Sequence, residues 1–172
     1  MNMNKTFLTS AVLVMAAVLA VAGCGGDDNG GGGYGSKGGS GESSSPKPAS
    51  SPTAVVSVAS VPGLGKVIVD SRGFTLYDFH KDKGTKSTCY GGCAKVWPPL
   101  TTGGTPKAQS GALASKLATT QRDDGTTQVV YAGHPLYTYT ADTKPGDAKG
   151  NDFSSFGAEW YALQPNGEEP ED

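Results

Sequence analysis

The sequence predicts an all-β domain, mainly antiparallel, that is built from two tandem copies of one pattern. Short runs of β-branched and aromatic residues alternate with Gly-containing turns, which is typical of hairpins. The same order of runs and turns occurs twice, and the segment 110–118 between the copies has room for only one or two helical turns. We therefore place a single small β-domain at residues 55–167, which is near the usual size of one domain.

The two copies cover residues 66–100 and 127–165, approximately. In each copy a strand-forming run, 67–69 or 129–131, is followed by a Gly-containing turn and then by a second strand-forming run. A third hairpin is predicted within 117–131, where an Asp-Asp-Gly sequence supplies the positive φ that a tight turn needs. These hairpins together account for most of the domain.

Each copy contains the motif Tyr-x-(Phe/Trp/Tyr)-x-x-Asp, followed later by a Trp. The motif residues are Tyr77, Phe79 and Asp82 in the first copy, and Tyr137, Tyr139 and Asp142 in the second. This tandem motif resembles that of the secreted-repeat lipoproteins, a family of predicted bacterial lipoproteins defined by it. The resemblance implies an extracytoplasmic location and a repeat architecture, and it implies no established biochemical activity.

The aromatic residues of the motif form two short ladders. Tyr77 and Phe79 are two residues apart on a predicted strand, so their rings face the same way, as do those of Tyr137 and Tyr139. We expect the rings to fill the core and the two motif aspartates to cap the following turn or to accept a tyrosine hydrogen bond. The alternative is a stacking platform for a flat ligand or a sugar.

The first 23 residues predict an export signal. Lys5 precedes an apolar stretch at 7–21, which is too short for the roughly 20 residues of a membrane-spanning helix. The sequence Val21-Ala22-Gly23-Cys24 resembles a lipobox, which implies cleavage before Cys24 and attachment of lipid (palmitate) to it. The alternative is an ordinary secretory signal that happens to contain a cysteine.

The segments that flank the domain have the composition of unfolded chain. Residues 24–54 are rich in Gly, Ser and Pro, so we expect a disordered linker that tethers the domain to the lipid on Cys24. Residues 168–172 form a short acidic tail, which we expect to be frayed and solvated. The predicted location is therefore the extracytoplasmic face of the cell membrane.

Cys89 and Cys93 are the only cysteines that follow Cys24. A turn brings positions i and i+4 to about 6 Å between Cα atoms, which is within disulfide reach. Outside the cytoplasm we expect these two residues to form a structural disulfide. A redox-active pair and a metal-binding pair are the alternatives.

Few residues are suited to hold a metal or a cofactor, and we assign neither. His80 is expected to be exposed because it alternates away from Phe79, and His134 lies in a turn. A transition-metal site that uses His80 and the cysteines is an alternative. The loop 142–152 carries several oxygen donors but lacks the spacing of an EF-hand, so we expect a polar surface loop rather than a calcium site.

Composition and motifs exclude several functions. The formal net charge is −2 and no basic stripe is present, so the sequence does not indicate nucleic-acid binding. No hydrolase or metalloprotease motif occurs, so no catalytic residue is assigned. We expect a non-catalytic binding or structural module of the cell envelope, whose partner is an envelope protein or a small flat ligand. The alternative is a redox or electron-transfer accessory protein that uses Cys89 and Cys93 or a cofactor on the aromatic ladders.

Overall fold

A computed structural model describes residues 51–171 of the chain, so the export signal, Cys24 and most of the linker lie outside the described residues. The described part contains nine strands, one short helix and one 3-10 turn. The strands are β1 (Val55–Val61), β2 (Gly65–Asp70), β3 (Tyr77–Phe79), β4 (Lys107–Ala108), β5 (Leu117–Gln121), β6 (Thr127–Tyr131), β7 (His134–Pro135), β8 (Phe153–Ser155) and β9 (Ala158–Ala162). The helix is α1 (Gly92–Val96), and the 3-10 turn is Ala114–Lys116.

The strands form three three-stranded sheets, in the orders β2-β1-β4, β3-β9-β8 and β5-β6-β7. All pairs are antiparallel except β1 with β4, which is parallel over two residue pairs. The predicted fold class, mainly antiparallel β built from two tandem repeats, is confirmed. Among residues 51–171 we find no helix that combines the length and the apolar character needed to cross a bilayer.

Local pairing follows the hairpin patterns of the sequence. Strands β5 and β6 pair from Leu117 with Tyr131 to Gln121 with Thr127, and Gly125 in the turn between them has a φ of 82°. The predicted third hairpin is therefore present. Strand β1 was not predicted, although it pairs with β2 over six residues and its Val56 is fully buried. Helix α1 was not predicted either.

Backbone hydrogen bonds join the two copies. Strand β3 of the first copy pairs with β9 at the end of the second copy. Tyr77 and Tyr137 exchange backbone hydrogen bonds, with N to O distances of 2.9 and 3.0 Å in the two directions. The pairing is reciprocal, because Thr138 of the second copy also donates a backbone hydrogen bond to Pro98 of the first at 2.9 Å.

The interior contains two clusters of buried side chains. The first is mainly aromatic and includes the disulfide, and the second is mainly aliphatic. The first contains Val61, Val67, Val69, Tyr77, Phe79, Cys89, Cys93, Trp97, Tyr137, Trp160 and Ala162. The second contains Ala54, Val56, Ile68, Leu76, Val129, Tyr131, Leu136 and Leu163. Both clusters draw residues from both copies, so neither copy has a core of its own.

The acidic tail departs from the prediction. We expected residues 168–172 to be frayed, but the carbonyl of Glu168 accepts a hydrogen bond from the backbone N–H of Gln164 at 2.8 Å. This turn carries the next residue, Glu169, back to His80. Composition alone did not reveal this, because the contact joins residues 89 positions apart.

Candidate functional site

Two of the motif rings, Phe79 and Tyr139, form one continuous stack with the two tryptophans. Trp97 and Trp160 lie face to face, with ring centroids 4.0 Å apart and planes 2° from parallel. Phe79 stacks on Trp160 at 4.0 Å, and Tyr139 stacks on Trp97 at 4.0 Å. Each tryptophan is therefore stacked against a motif ring of the other copy. Stacking of this kind contributes beyond simple area burial.

Each motif tyrosine is also hydrogen-bonded to the motif aspartate of the other copy. The hydroxyl of Tyr77 donates to Asp142 at 2.5 Å, and that of Tyr137 donates to Asp82 at 2.6 Å. The expectation that the motif aspartates accept tyrosine hydrogen bonds is confirmed, with the partner in the other copy. Burial raises the pKa of both tyrosines well above the ordinary value, and burial also raises the pKa of Asp82. The hydrogen-bonded pairs Tyr77–Asp142 and Tyr137–Asp82 hold the two copies together, and we call these two pairs the clasp.

The aromatic stack leaves little room for a flat ligand between its rings. Tyr77 and Tyr137 are fully buried and Phe79 is 3% exposed, while Tyr139 is half-buried. The inner faces of the stack are covered by other rings. A flat ligand or a sugar could reach these faces only by displacing a ring, so the geometry favours the core role that we expected.

The predicted disulfide between Cys89 and Cys93 is present, with 5.2 Å between the Cα atoms. It ties Cys93, in helix α1, to Cys89 within the aromatic core, and both residues are buried. Burial keeps the sulfur atoms away from a thiol reagent or a redox partner. The location suits a structural bridge.

Sequence reasoning missed Arg122, whose side chain is fully buried at the end of β5. Its guanidinium group lies over the ring of Tyr90 at 4.4 Å. The group donates to the side chains of Ser87, Gln128 and Asp124 and to the carbonyl of Cys89. The hydroxyl of Ser87 in turn lies 2.7 Å from the hydroxyl oxygen of Tyr137 and donates to it, since the Tyr137 proton is given to Asp82, so Arg122 supports the clasp. Nothing in the sequence distinguishes this arginine from one on the surface.

Carboxylates of the acid-rich loop 142–152 accept hydrogen bonds from groups of the domain itself. Asp142 accepts from Tyr77 and from the backbone N–H of Lys149, and Asp147 accepts from the backbone N–H of Thr143 at 2.9 Å. These contacts agree with the expected polar surface loop.

A surface pocket brings together the two histidines, which we had considered separately. We call it the acid–histidine pocket and define it by Asp78, His80, His134, Glu159 and Glu169. The adjoining cavity has a volume of about 490 Å³. Its walls come from β3, the turn before β7 and the tail, and Glu159 of β9 closes the far side of His80.

Asp78 lies at the base of the pocket and is 2% exposed. Its Oδ2 lies 3.0 Å from Nδ1 of His134, and this hydrogen bond raises the pKa of the imidazole. Its Oδ1 is buried and has no hydrogen-bond partner, and it is the one such side-chain atom in residues 51–171. A buried carboxylate oxygen without a partner is costly, so it requires an explanation.

His80 lies at the rim between two carboxylates. Its Nε2 is 2.5 Å from Oε1 of Glu169, and its Nδ1 is 3.6 Å from Oε2 of Glu159. The imidazole also packs against the ring of Tyr161, with centroids 4.9 Å apart. The predicted exposure of His80 is correct, but its two acidic neighbours were not foreseen.

A second groove of similar size is chemically plainer. It has a volume of about 460 Å³ and is lined by threonine, glycine, alanine, proline and leucine side chains from residues 102–127. None of its lining residues carries an ionisable group. The acid–histidine pocket is therefore the stronger candidate for a functional site.

Comparisons with known proteins agree with the repeat architecture. A family model described as a secreted repeat of unknown function matches residues 59–101 and 118–164, together just over half of the chain. Each matched segment contains one copy of the tyrosine motif. Searches of the curated proteins and of the solved structures found no match.

Proposed function

Because the chain belongs to the family of secreted repeats of unknown function, we propose that it is a lipid-anchored extracytoplasmic module that binds a ligand in the acid–histidine pocket. The domain itself is non-catalytic in this proposal. It presents one binding pocket on a clasped β-scaffold, at the end of a tether of about 30 residues. A flexible tether of this length has an end-to-end distance of some tens of Å.

Support for the anchor comes from the N-terminal sequence. The short apolar stretch, the lipobox-like residues before Cys24 and the Gly/Ser/Pro-rich linker follow in the order that a lipoprotein requires. A disulfide between Cys89 and Cys93 also suits an oxidising compartment.

Support for binding comes from one observation, the buried and unpartnered Oδ1 of Asp78. A protein tolerates such an atom when an ordered water, an ion or another ligand satisfies it, or when the strain serves a function. Asp78 lines the open cavity, so a ligand bound there would lie beside its carboxylate. The alternative redox function gains no support of this kind, because the disulfide is buried.

The anchor is tested by metabolic labelling. Cells that express the full-length chain are grown with an alkyne analogue of palmitate, and the label on the protein is read after click chemistry. We expect label on the wild type and none on Cys24→Ala, with the variant released from the membrane fraction. Equal labelling of both proteins, or none of either, would contradict the anchor.

Binding is tested by thermal shift with a panel of metal ions, anions and small metabolites. A ligand that binds only the folded protein raises its stability by RT ln(1 + [L]/Kd), which is about 2.7 kcal/mol at a hundredfold excess over Kd. We expect at least one compound to raise the Tm of the wild type and not that of Asp78→Asn. If every compound that stabilises the wild type stabilises the variant equally, the pocket is not a binding site.

A further inference from the structure

We propose that the ligand of the acid–histidine pocket is a divalent first-row transition-metal ion of the Zn²⁺ or Cu²⁺ type, bound by Asp78, His80 and Glu169. This inference rests on the proposed binding function and names the class of ligand. No motif in the sequence indicated this set of donors, because Glu169 lies 89 residues after His80.

The donor atoms already converge. Asp78, His80 and Glu169 each offer one ligand atom, and these three atoms lie within 4.8 Å of one another. Bonds of about 2.0–2.2 Å from a metal to nitrogen and oxygen donors place neighbouring ligands roughly 3–3.5 Å apart. His80 and Glu169 lie at an open rim and are each more than one third exposed, so neither side chain is held by close packing on all sides.

Asp78 supplies the second, independent indication. Its side chain is almost completely buried, and its Oδ1 has no partner among the residues that surround it. A cation at the base of the pocket would satisfy this oxygen and balance the charge of the buried carboxylate. A pocket built only from ion pairs between histidine and acid would leave this atom unexplained.

Two further residues contact the proposed metal ligands and not the metal position itself. Glu159 approaches Nδ1 of His80, the ring nitrogen opposite the one that would bind metal. His134 contacts Oδ2 of Asp78, which leaves Oδ1 available. Carboxylates and hydrogen bonds in these positions orient metal ligands and tune their basicity.

The donor types select the class of metal. One imidazole and two carboxylates, without sulfur, suit zinc or copper(II), whereas calcium prefers six to eight oxygen ligands. Three protein ligands leave at least one coordination position open to water or to a partner molecule. The open rim suits a metal ion that exchanges with the surroundings.

The second copy shows that the fold does not require these groups. Thr138 and Thr140 occupy the positions that correspond to Asp78 and His80. Their hydroxyls donate to the carbonyls of Pro98 and Val96 at 3.4 and 3.0 Å. The same backbone arrangement is therefore compatible with neutral residues at these two positions.

The test is titration of the full-length protein, purified in detergent with a tag that contains no histidine. His80 and His134 are the only histidines of the chain, so background binding to other imidazoles is absent. Isothermal titration calorimetry with ZnCl₂ and with CuSO₄ should give one site per chain. Substitution of His80→Ala or Asp78→Asn should weaken binding at least 10–100-fold, the range seen even for outer-shell changes. Co²⁺ bound at the site should show visible absorption, which reports nitrogen and oxygen coordination directly.

Matched controls keep the test decisive. Glu169→Gln should weaken binding, whereas Glu168→Gln, its exposed neighbour in the tail, should bind as the wild type does. His80→Ala removes an exposed side chain, so the fold should persist even if Asp78→Asn unfolds, and circular dichroism checks this. The proposal is overturned if neither metal binds, if Ca²⁺ binds equally well, or if the His80 and Glu169 variants bind like the wild type. In these cases, lipid labelling and a pocket-dependent thermal shift with a non-metal compound would still support the proposed function.

Discussion

Removal of the Tyr77 hydroxyl should show how much the clasp between the copies contributes to stability. Tyr77→Phe deletes the 2.5 Å hydrogen bond to Asp142 and keeps the ring in its contact with Trp97. Asp142 is buried, and after the change its Oδ2 has lost its partner while Oδ1 still accepts from Lys149. A hydrogen bond to a charged group contributes about 1.5–3 kcal/mol, and a buried acceptor left unpaired costs a similar amount.

We therefore expect Tyr77→Phe to lower the free energy of unfolding by about 2–3 kcal/mol. With a typical urea m value of about 1–3 kcal/mol per M, the midpoint should fall by roughly 0.7–3 M. Urea unfolding followed by tryptophan fluorescence suits this measurement, because Trp97 and Trp160 contact the rings of the two clasp tyrosines. Tyr161→Phe is the matched control, since its hydroxyl contacts Asp152 at the surface, and the midpoint should not change measurably.

A double-mutant cycle separates the contact from general damage. Asp142→Ala and Tyr77→Phe together should cost less than the sum of the single changes, because both remove the same interaction. A coupling energy near zero, or a loss below about 0.5 kcal/mol for Tyr77→Phe, would refute the view that the exchanged hydrogen bonds hold the copies together.

Two further predictions concern packing and pH. A Cβ at position 150 would lie 2.7 Å from the ring of Trp97, so Gly150→Ala should destabilise the domain by about 1–3 kcal/mol in urea unfolding. Gly92→Ala meets nothing within 4 Å and should not destabilise, so equal losses would contradict the packing argument. Because burial holds the pKa of Tyr77 and Tyr137 above the ordinary value of about 10, the unfolded chain loses those protons first as pH rises. Stability should therefore fall above about pH 10, by up to about 1.4 kcal/mol per pH unit for each tyrosine. Tyr77→Phe should remove one tyrosine's share of this slope, and an unchanged slope would contradict the assignment.

The sequence by itself determined the local structure of this protein. The β-branched runs, the Asp-Asp-Gly turn and the spacing of Cys89 and Cys93 depend on neighbours within a few residues, and each produced the predicted element. The tandem motif likewise indicated a family and a repeat architecture. Strand β1 was missed although its valines are visible in the sequence, because it precedes the repeated pattern.

Only the tertiary structure decided which residues meet. The motif alone shows that a tyrosine and an aspartate belong together, but the exchange between copies depends on the pairing of β3 with β9. Alternation along β3 places Asp78 on the face opposite Tyr77, where a charged residue is ordinarily solvated. That face is covered by His134, 56 residues away in the chain, and by the tail. Contacts over such distances arise from chain topology, so the acid–histidine pocket has no signature in the sequence.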